Sequence, residues 1–352
     1  MLRLLFGIYH IFIQIRNFFF NHGLFREVSL SVPVVSVGNV SFGGTGKTPM
    51  VIWLAKQIQK EGFPVVILSR GYKRRSFFPK IVSDYAKVLS SLRAAGDEPY
   101  LVAKKLPGVP VIVARNRVRG ARKAIKRFNP RVILLDDGFQ HRKLARKFDI
   151  VLLDKPQALK SNVRLREPVK NLRRADTVVF TKYDQYEKAQ DIVQDFVQAF
   201  ACPVFHAKYE PVAIRNDVQM HEAEKLKGKT VFLVAGIGNP KYFRHIVKDI
   251  GAHVTREFLY QDHAKYSRWR IRRILKKFDS CSADYLITTE KDWHKLKKWI
   301  PDNCPFYYLD IEMDIHRPGL LKNLVFEAAY LSQEESSVEI IDLTPEIKNK
   351  SE

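Results

Sequence analysis

The stretch SVGNVSFGGTGKTPM, residues 36–50, decides how the chain folds. Residues 34–38, VVSVG, have the character of a strand, a glycine cluster follows, and from Lys47 the run KTPMVIWLAKQIQKEG keeps helical spacing up to Gly62. Strand, glycine turn and helix in that order make a phosphate cradle. The turn aims backbone N–H groups at an anion, and the helix N-terminus adds partial positive charge. The expected nucleotide-binding residues are Ser41, Phe42, Gly43, Gly44, Thr45, Gly46, Lys47 and Thr48. Among them Lys47 would bridge the terminal phosphates and the Thr48 hydroxyl would ligate Mg²⁺. Pro49 falls in the first helical turn, where a missing N–H costs little. One position departs from the strict pattern G-x-x-x-x-G-K-[ST]: Ser41 stands where the first glycine belongs.

A magnesium nucleotide held this way needs a second metal contact from the end of a neighbouring strand. RVILLDDGFQH, residues 131–141, supplies one, its apolar run leading into Asp136 and Asp137. Two adjacent acids at a strand end are costly to leave unpaired, so a cation beside them is expected. Further strand-length apolar runs at 65–69, 109–114, 150–154 and 178–181 alternate with basic amphipathic helices. A second series, at 231–235, 254–259, 285–288 and 306–309, follows. Such alternation predicts a P-loop NTPase-like α/β fold, a parallel sheet sandwiched between helices, with a second, smaller α/β domain joined near Pro203 to Pro211. The expected boundaries are 1–22 for an N-terminal helix, 23–205 for the phosphate-loop core, 206–331 for the smaller domain and 332–352 for a polar, acidic tail.

The first twenty residues, MLRLLFGIYHIFIQIRNFFF, are the most apolar of the chain. Arg3, Gly7, His10, Gln14 and Asn17 recur at intervals of four, three, four and three, so they share one narrow stripe of a helix and leave a wide, aromatic-rich face. With no small-residue cleavage site, and with Arg3, Gln14 and Arg16 interrupting the run, neither a removed signal peptide nor a spanning helix is expected. The pattern suits an amphipathic helix lying in a membrane interface, its polar stripe toward water or the protein body.

Bulk properties agree with an α/β protein that meets acidic partners. The 352 residues are 46% hydrophobic, enough for two packed cores, and 60 Lys and Arg against 37 Asp and Glu leave a net charge of +23. Nucleotide phosphates, nucleic acid and an anionic membrane all fit that charge. Cys202, Cys281 and Cys304 are odd in number and widely spaced, which supports neither a disulfide framework nor a zinc site and fits a reducing, cytosolic setting. Two rival functions follow from local features. Thr181-Lys182-Tyr183-Asp184 imitates the [NT]KxD pattern that reads guanine, which raises a GTP-dependent switch. The arginine-rich run RNRVRGARKAIKRF raises a nucleic-acid-binding ATPase, although no nucleic-acid motif accompanies it.

Six further motifs occur in order: Ser69-Arg70-Gly71-Tyr72, Gly96-Asp97-Glu98-Pro99, Leu165-Arg166-Glu167-Pro168, Ala235-Gly236-Ile237-Gly238-Asn239-Pro240, Asp262-His263 and Thr288-Thr289-Glu290-Lys291-Asp292. With VGNVSFGGTGKTP and DDGFQH, the series resembles the tetraacyldisaccharide 4′-kinase family of lipid A biosynthesis from the N-terminal helix to about residue 325. The resemblance implies transfer of the γ-phosphate of ATP, with Mg²⁺, to the 4′-hydroxyl of an acylated glucosamine disaccharide 1-phosphate. It places the enzyme at the cytoplasmic face of the inner membrane of a Gram-negative bacterium, as a peripheral protein with no nucleic-acid partner. Ser41 becomes a family trait. Asp97 looks like the base, His263 the group that orients or polarises it, and Lys47 a further catalytic residue. Glu98 joins Thr48, Asp136 and Asp137 as a metal candidate. Arg70, Tyr72, Gln140, Arg166 and Glu167 become substrate candidates, with Arg115 and Arg119 as further phosphate-binding arginines. The family's usual G-P-L-R-E-P departs here, Arg164 replacing the first proline.

Overall fold

The structure, a computed structural model, describes residues 2–41, 43–71, 78–154, 165–184, 190–200 and 202–331. The expectations for Phe42, Tyr72, Arg164 and the tail 332–352 lie outside the described residues.

Thirteen strands of the described chain form one sheet. They are β1 (Val34–Asn39), β2 (Val65–Ser69), β3 (Lys80–Ser83), β4 (Val111–Val113), β5 (Val132–Asp136), β6 (Phe148–Leu153), β7 (Thr177–Thr181), β8 (Val204–Arg215), β9 (Met220–Glu222), β10 (Thr230–Ala235), β11 (His253–Leu259), β12 (Tyr285–Thr289) and β13 (Phe306–Ile315). Their order is β11-β10-β12-β13-β8-β7-β6-β1-β5-β2-β4-β3, with β9 beside β8. Every pairing is parallel except β8 with β13, β8 with β9 and β3 with β4. Strands β1, β2, β5, β6 and β7 are buried along their whole length, which is why they read as unbroken apolar runs and not as alternating ones. The helix Lys47–Lys60 covers one face through Met50, Val51, Leu54, Ala55 and Ile58, and the helix Arg117–Phe128 covers the other through Val118, Ala121 and Ala124.

The segment expected to join two domains is itself a strand. The first residues of β8, Val204–Ala207, pair with β7, and the rest of it, from Ala207 to Arg215, pairs antiparallel with β13. Pro211 has no N–H to give a ladder, and the register shifts there by one residue. The β8–β13 ribbon therefore carries a parallel half-sheet at each end, and the two half-sheets run in opposite directions. Their C-terminal edges face each other across residues 208–213 of the ribbon, a gap of roughly 20 Å at ~3.3 Å per residue. Tyr209 belongs to this floor and packs against the hydrophobic clusters of both halves. C-terminal strand ends are where α/β sheets place their ligand sites, and here two sets of them converge.

The N-terminal helix, Leu2–Asn21, turns His10, Gln14 and Asn17 of its polar stripe toward the protein body. His10 donates to the Leu165 carbonyl at 2.9 Å, Gln14 accepts from Lys170 at 2.8 Å and Asn17 donates to Glu167 at 3.0 Å. Arg142 adds bonds to the Asn17 carbonyl and the Asn21 side chain. Ile11, Phe12, Ile15 and Phe18 point outward, Phe12 being 68% exposed. Among the described residues no helix is long and apolar enough to cross a membrane.

Candidate active site

A cleft of about 1480 Å³ fills the space between the two C-terminal edges. One wall is the glycine turn after β1. Asn39 ties it down by donating to the Ser41 carbonyl at 2.8 Å and to the Thr45 hydroxyl at 2.9 Å, and Gln140 donates in turn to the Asn39 carbonyl. Gly46 has φ 91°, in the left-handed region, and a Cβ there would collide with the Tyr209 hydroxyl. The helix starts at Lys47, with Lys47 and Thr48 lining the cleft. Ser41 is buried beneath the turn, where its hydroxyl donates to Asp154.

The end of β5 brings the acids in. Asp136 is buried; Ser69 donates to its Oδ2 at 2.8 Å, and its Oδ1 has no partner among the described residues. Burial, reinforced by Glu98 and Asp137, outweighs Lys47 and Ser69 and pushes its carboxyl up to about 7. Asp137 adopts φ 55°, a conformation uncommon outside glycine, which turns its side chain to Arg166 at 2.8 Å and Lys47 at 3.5 Å. Against its own burial, those two cations hold its carboxyl below the usual range.

The opposite wall comes from the C-terminal edge of the second half-sheet. His263, after β11, also has a left-handed backbone, φ 60°. Its Nδ1 donates to Asp97 Oδ2 at 3.1 Å, and its Nε2 edge lies 3.9 Å from Glu98 and 3.8 Å from Asp262. Lys295 reaches the same Asp97 oxygen at 2.7 Å. Burial raises the Asp97 carboxyl, but His263 and Lys295 more than offset it, so the group sits well below the usual carboxylate range. Lys291 joins Glu98, at 3.3 Å, to Asp262, at 3.0 Å.

Lys47, Thr48, Arg70, Glu98, Asp136, Asp137, Gln140, Arg166 and His263 therefore share the cleft, with Asp97 behind His263, and Arg115 lines it as well. Glu167 is turned the other way. It is fully buried and accepts from Asn17, Asn171 and Arg174, which pins the N-terminal helix to the core. Arg119 is not part of the cleft wall. Sequence reasoning passed over Arg117, a buried arginine of this wall pushed down to about 10 by burial and by Arg70, because four arginines within eight residues hide which one turns inward. It passed over Lys295 too, whose only local signal is its spacing from Asp292 on one helix.

The Thr181–Asp184 stretch is committed elsewhere. Lys182, 2% exposed, donates to the Gly44 carbonyl at 2.7 Å and pairs with Asp154, and Asp184 accepts from Tyr242 and faces His245. That lysine props up the glycine turn, and Asp184 already has the donors a guanine would have to displace.

A mostly parallel sheet with a glycine turn after its first strand and paired acids at a neighbouring strand end defines a P-loop type of α/β protein. Residues 1–329 match the family described as Tetraacyldisaccharide-1-P 4′-kinase. The chain is 36% identical over 336 residues to the tetraacyldisaccharide 4′-kinase of Syntrophus aciditrophicus, covering 91% of this chain and 90% of the relative. It is 39% identical over 325 residues to that of Chlorobium chlorochromatii, covering 88% and 87%. The crystal structure of LpxK from Aquifex aeolicus in complex with ATP superposes with a TM-score of 0.74 at 35% identity, covering 94% of this chain and 98% of that one. The chain belongs to the tetraacyldisaccharide-1-P 4′-kinase family, and it is a kinase.

Proposed function

We propose that this kinase transfers the γ-phosphate of ATP to the 4′-hydroxyl of a tetraacylated glucosamine disaccharide 1-phosphate, the lipid A precursor, at the cytoplasmic surface of an inner membrane. The observation that carries the reading is the opposition of two elements across one cleft: the phosphate turn with Lys47 on one wall and the Asp97–His263 pair on the other. The ATP held by the Aquifex relative and the names of the curated relatives support the donor and the acceptor.

A sugar hydroxyl is a weak nucleophile at neutral pH, so transfer needs a proton acceptor beside it and cations around the phosphates. The division of labour we favour places the imidazole of His263 as that acceptor. Asp97 accepts two nitrogen donors on one oxygen, which spends its basicity, and by accepting from Nδ1–H it fixes the tautomer that leaves the Nε2 lone pair toward the cleft. The expectation that Asp97 itself takes the proton is thereby exchanged for an orienting role. Lys47, Arg70, Arg117 and Arg166 supply positive charge on the phosphate side, with bidentate geometry available to the arginines.

The acid cluster fits a divalent cation: Asp136 is buried with one oxygen unpartnered, beside Glu98 and Asp137. Thr48, Asp136, Asp137 and Glu98 would hold Mg²⁺, which when bound neutralises phosphate charge. In this reading the two half-sheets act as lobes that close about the β8–β13 ribbon, with the helix Pro318–Ala328, expected in the second domain, packed on the core of the first. The outward face of the N-terminal helix, with Phe12, Ile15 and Phe18, seats the enzyme on the membrane where the acyl chains stay. Nucleic acid has no place in the scheme.

Asp97→Asn and His263→Ala test it. Each should lower kcat by about 10²- to 10⁴-fold with ATP binding intact. Loss of ATP binding in either variant would mark the pair as structural and remove the base from this scheme.

A further inference from the structure

Two motifs take no part in the scheme above: Ala235–Pro240 after β10, and Thr288–Asp292 at the end of β12. The geometry points to Asp292 and Lys295 as a positioning unit that sets the Asp97–His263 pair in register with the loop packed on the phosphate turn. The inference rests on the kinase reading and adds to it the means by which the two walls of the cleft are held in step.

The chain of contacts is continuous. Asp292 is fully buried, and its two oxygens face different ways. Oδ2 accepts the Gly236 N–H at 2.6 Å and the Thr289 hydroxyl at 3.0 Å, so it anchors the start of the loop after β10. That loop then reaches Gly238, whose backbone lies so close to the phosphate turn that a Cβ on Gly238 would stand 2.7 Å from the Gly44 nitrogen. Oδ1 of the same carboxylate lies 3.3 Å from Lys295, one turn on along the helix Glu290–Leu296, and Lys295 holds Asp97 at 2.7 Å. One buried carboxylate thus touches, through one intermediary each way, both the turn that binds phosphate and the group that orients the imidazole.

The arrangement is expensive unless it is used. A buried carboxylate and a nearly buried ammonium both lose hydration, and apolar residues of similar size would pack at less cost. Lys291, on the same helix, adds a strut from Glu98 to Asp262, and Lys105 ties the far end of the Asp97 helix to Glu290 at 2.9 Å. The helix Glu290–Leu296 therefore holds the helix Asp97–Lys105 through three ion pairs, beside the edge contact of the His294 ring with Tyr100, and of these Lys295 alone reaches Asp97. A side chain that acts in this way touches neither ATP nor the acceptor, so its removal should lower turnover and leave both affinities in place.

The test is steady-state kinetics on the full chain in detergent, with ATP and the disaccharide 1-phosphate lipid, for wild type, Lys295→Met, Lys295→Arg, Asp292→Asn and the Asp292→Asn/Lys295→Met double variant. Transfer by wild type is the control that separates the claims: its absence overturns the kinase reading, and the positioning unit with it. With wild-type transfer present, Lys295→Met and Asp292→Asn should each lose about 10- to 100-fold in kcat, with both KM values within about threefold. Lys295→Arg should recover most of the loss, and the double variant should be no slower than the worse single one, because the two residues act as one unit. A kcat for Lys295→Met within twofold of wild type, fully additive losses, or an Arg variant as slow as Met would overturn the inference. Thermal melts show which variants are folded, and Lys295→Met, which leaves Asp292 its Gly236 and Thr289 donors, keeps the test open if Asp292→Asn does not fold.

Discussion

His263 Nδ1 lies 3.1 Å from Asp97 Oδ2, although the two residues are 166 positions apart in the chain. The contact exists because β8 and β13 carry the two parallel half-sheets head to head, so that a loop beyond β11 meets the helix that follows Gly96. Glycine at 96, with φ 93°, makes the turn that points Asp97 into the meeting place.

Lys47 opens the helix below the phosphate turn and lies beside Asp137 at 3.5 Å. Lys47→Ala should cut phosphoryl transfer by about 10²- to 10³-fold, the size expected for losing one charge aimed at the transferred group. The melting temperature should fall by a few degrees, because Asp137 loses one of its two cations and Asp136 loses the charge that partly offsets its burial. Turnover within threefold of wild type would separate the turn from the chemistry.

Asp136 is a buried carboxylate next to two other acids, with one oxygen unpartnered. Asp136→Asn removes repulsion that nothing on the protein fully offsets. The metal-free variant should melt a few degrees higher than wild type while losing activity, a pairing typical of sites that trade stability for function. A lower melting temperature without metal would mean that the carboxylate is satisfied in a way the cleft does not display.

Glu167 offers the converse. It bonds Asn17, Asn171 and Arg174 in a fully buried position. Glu167→Ala leaves the buried Asn17 and the partly buried Arg174 without their acceptor and frees the N-terminal helix, so a destabilisation of about 2 to 4 kcal/mol is expected. Activity per folded molecule should stay near wild type. A normal melt with a raised KM for the lipid would return Glu167 to the substrate site.

Phe12 and Ile15 face away from the protein on the N-terminal helix, and neither supports the core. The double substitution Phe12→Glu and Ile15→Glu should abolish flotation with anionic vesicles while leaving the fold and the kinase activity in detergent micelles intact. Undiminished flotation would move the membrane contact to another surface.

What could be read from the sequence was local chemistry. The glycine turn, Lys47 and Asp136 belong to short segments whose spacing alone implies a strand end or a helix start, and the structure places them there. Strand β8 was hidden because Pro203 and Pro211 read as breaks, whereas the ladder accommodates Pro211 by a register shift. Glu167 entered as a substrate candidate through the family resemblance of its Leu165–Pro168 motif, and only the stripe of His10, Gln14 and Asn17 hinted at a partner for the helix. Lys295 was out of reach for a different reason: its role depends on which helix packs beside its own, and a single sequence carries no record of that packing.

The most direct measurement is transfer of label from γ-labelled ATP, with Mg²⁺ and detergent, to purified disaccharide 1-phosphate lipid, run beside duplex RNA and a reaction without acceptor. Label is expected on the lipid, at the 4′ position, with little release of phosphate when no acceptor is present. Unlabelled lipid, together with phosphate released faster when RNA is added, would contradict the proposed function and leave an ATPase whose cleft serves a different partner.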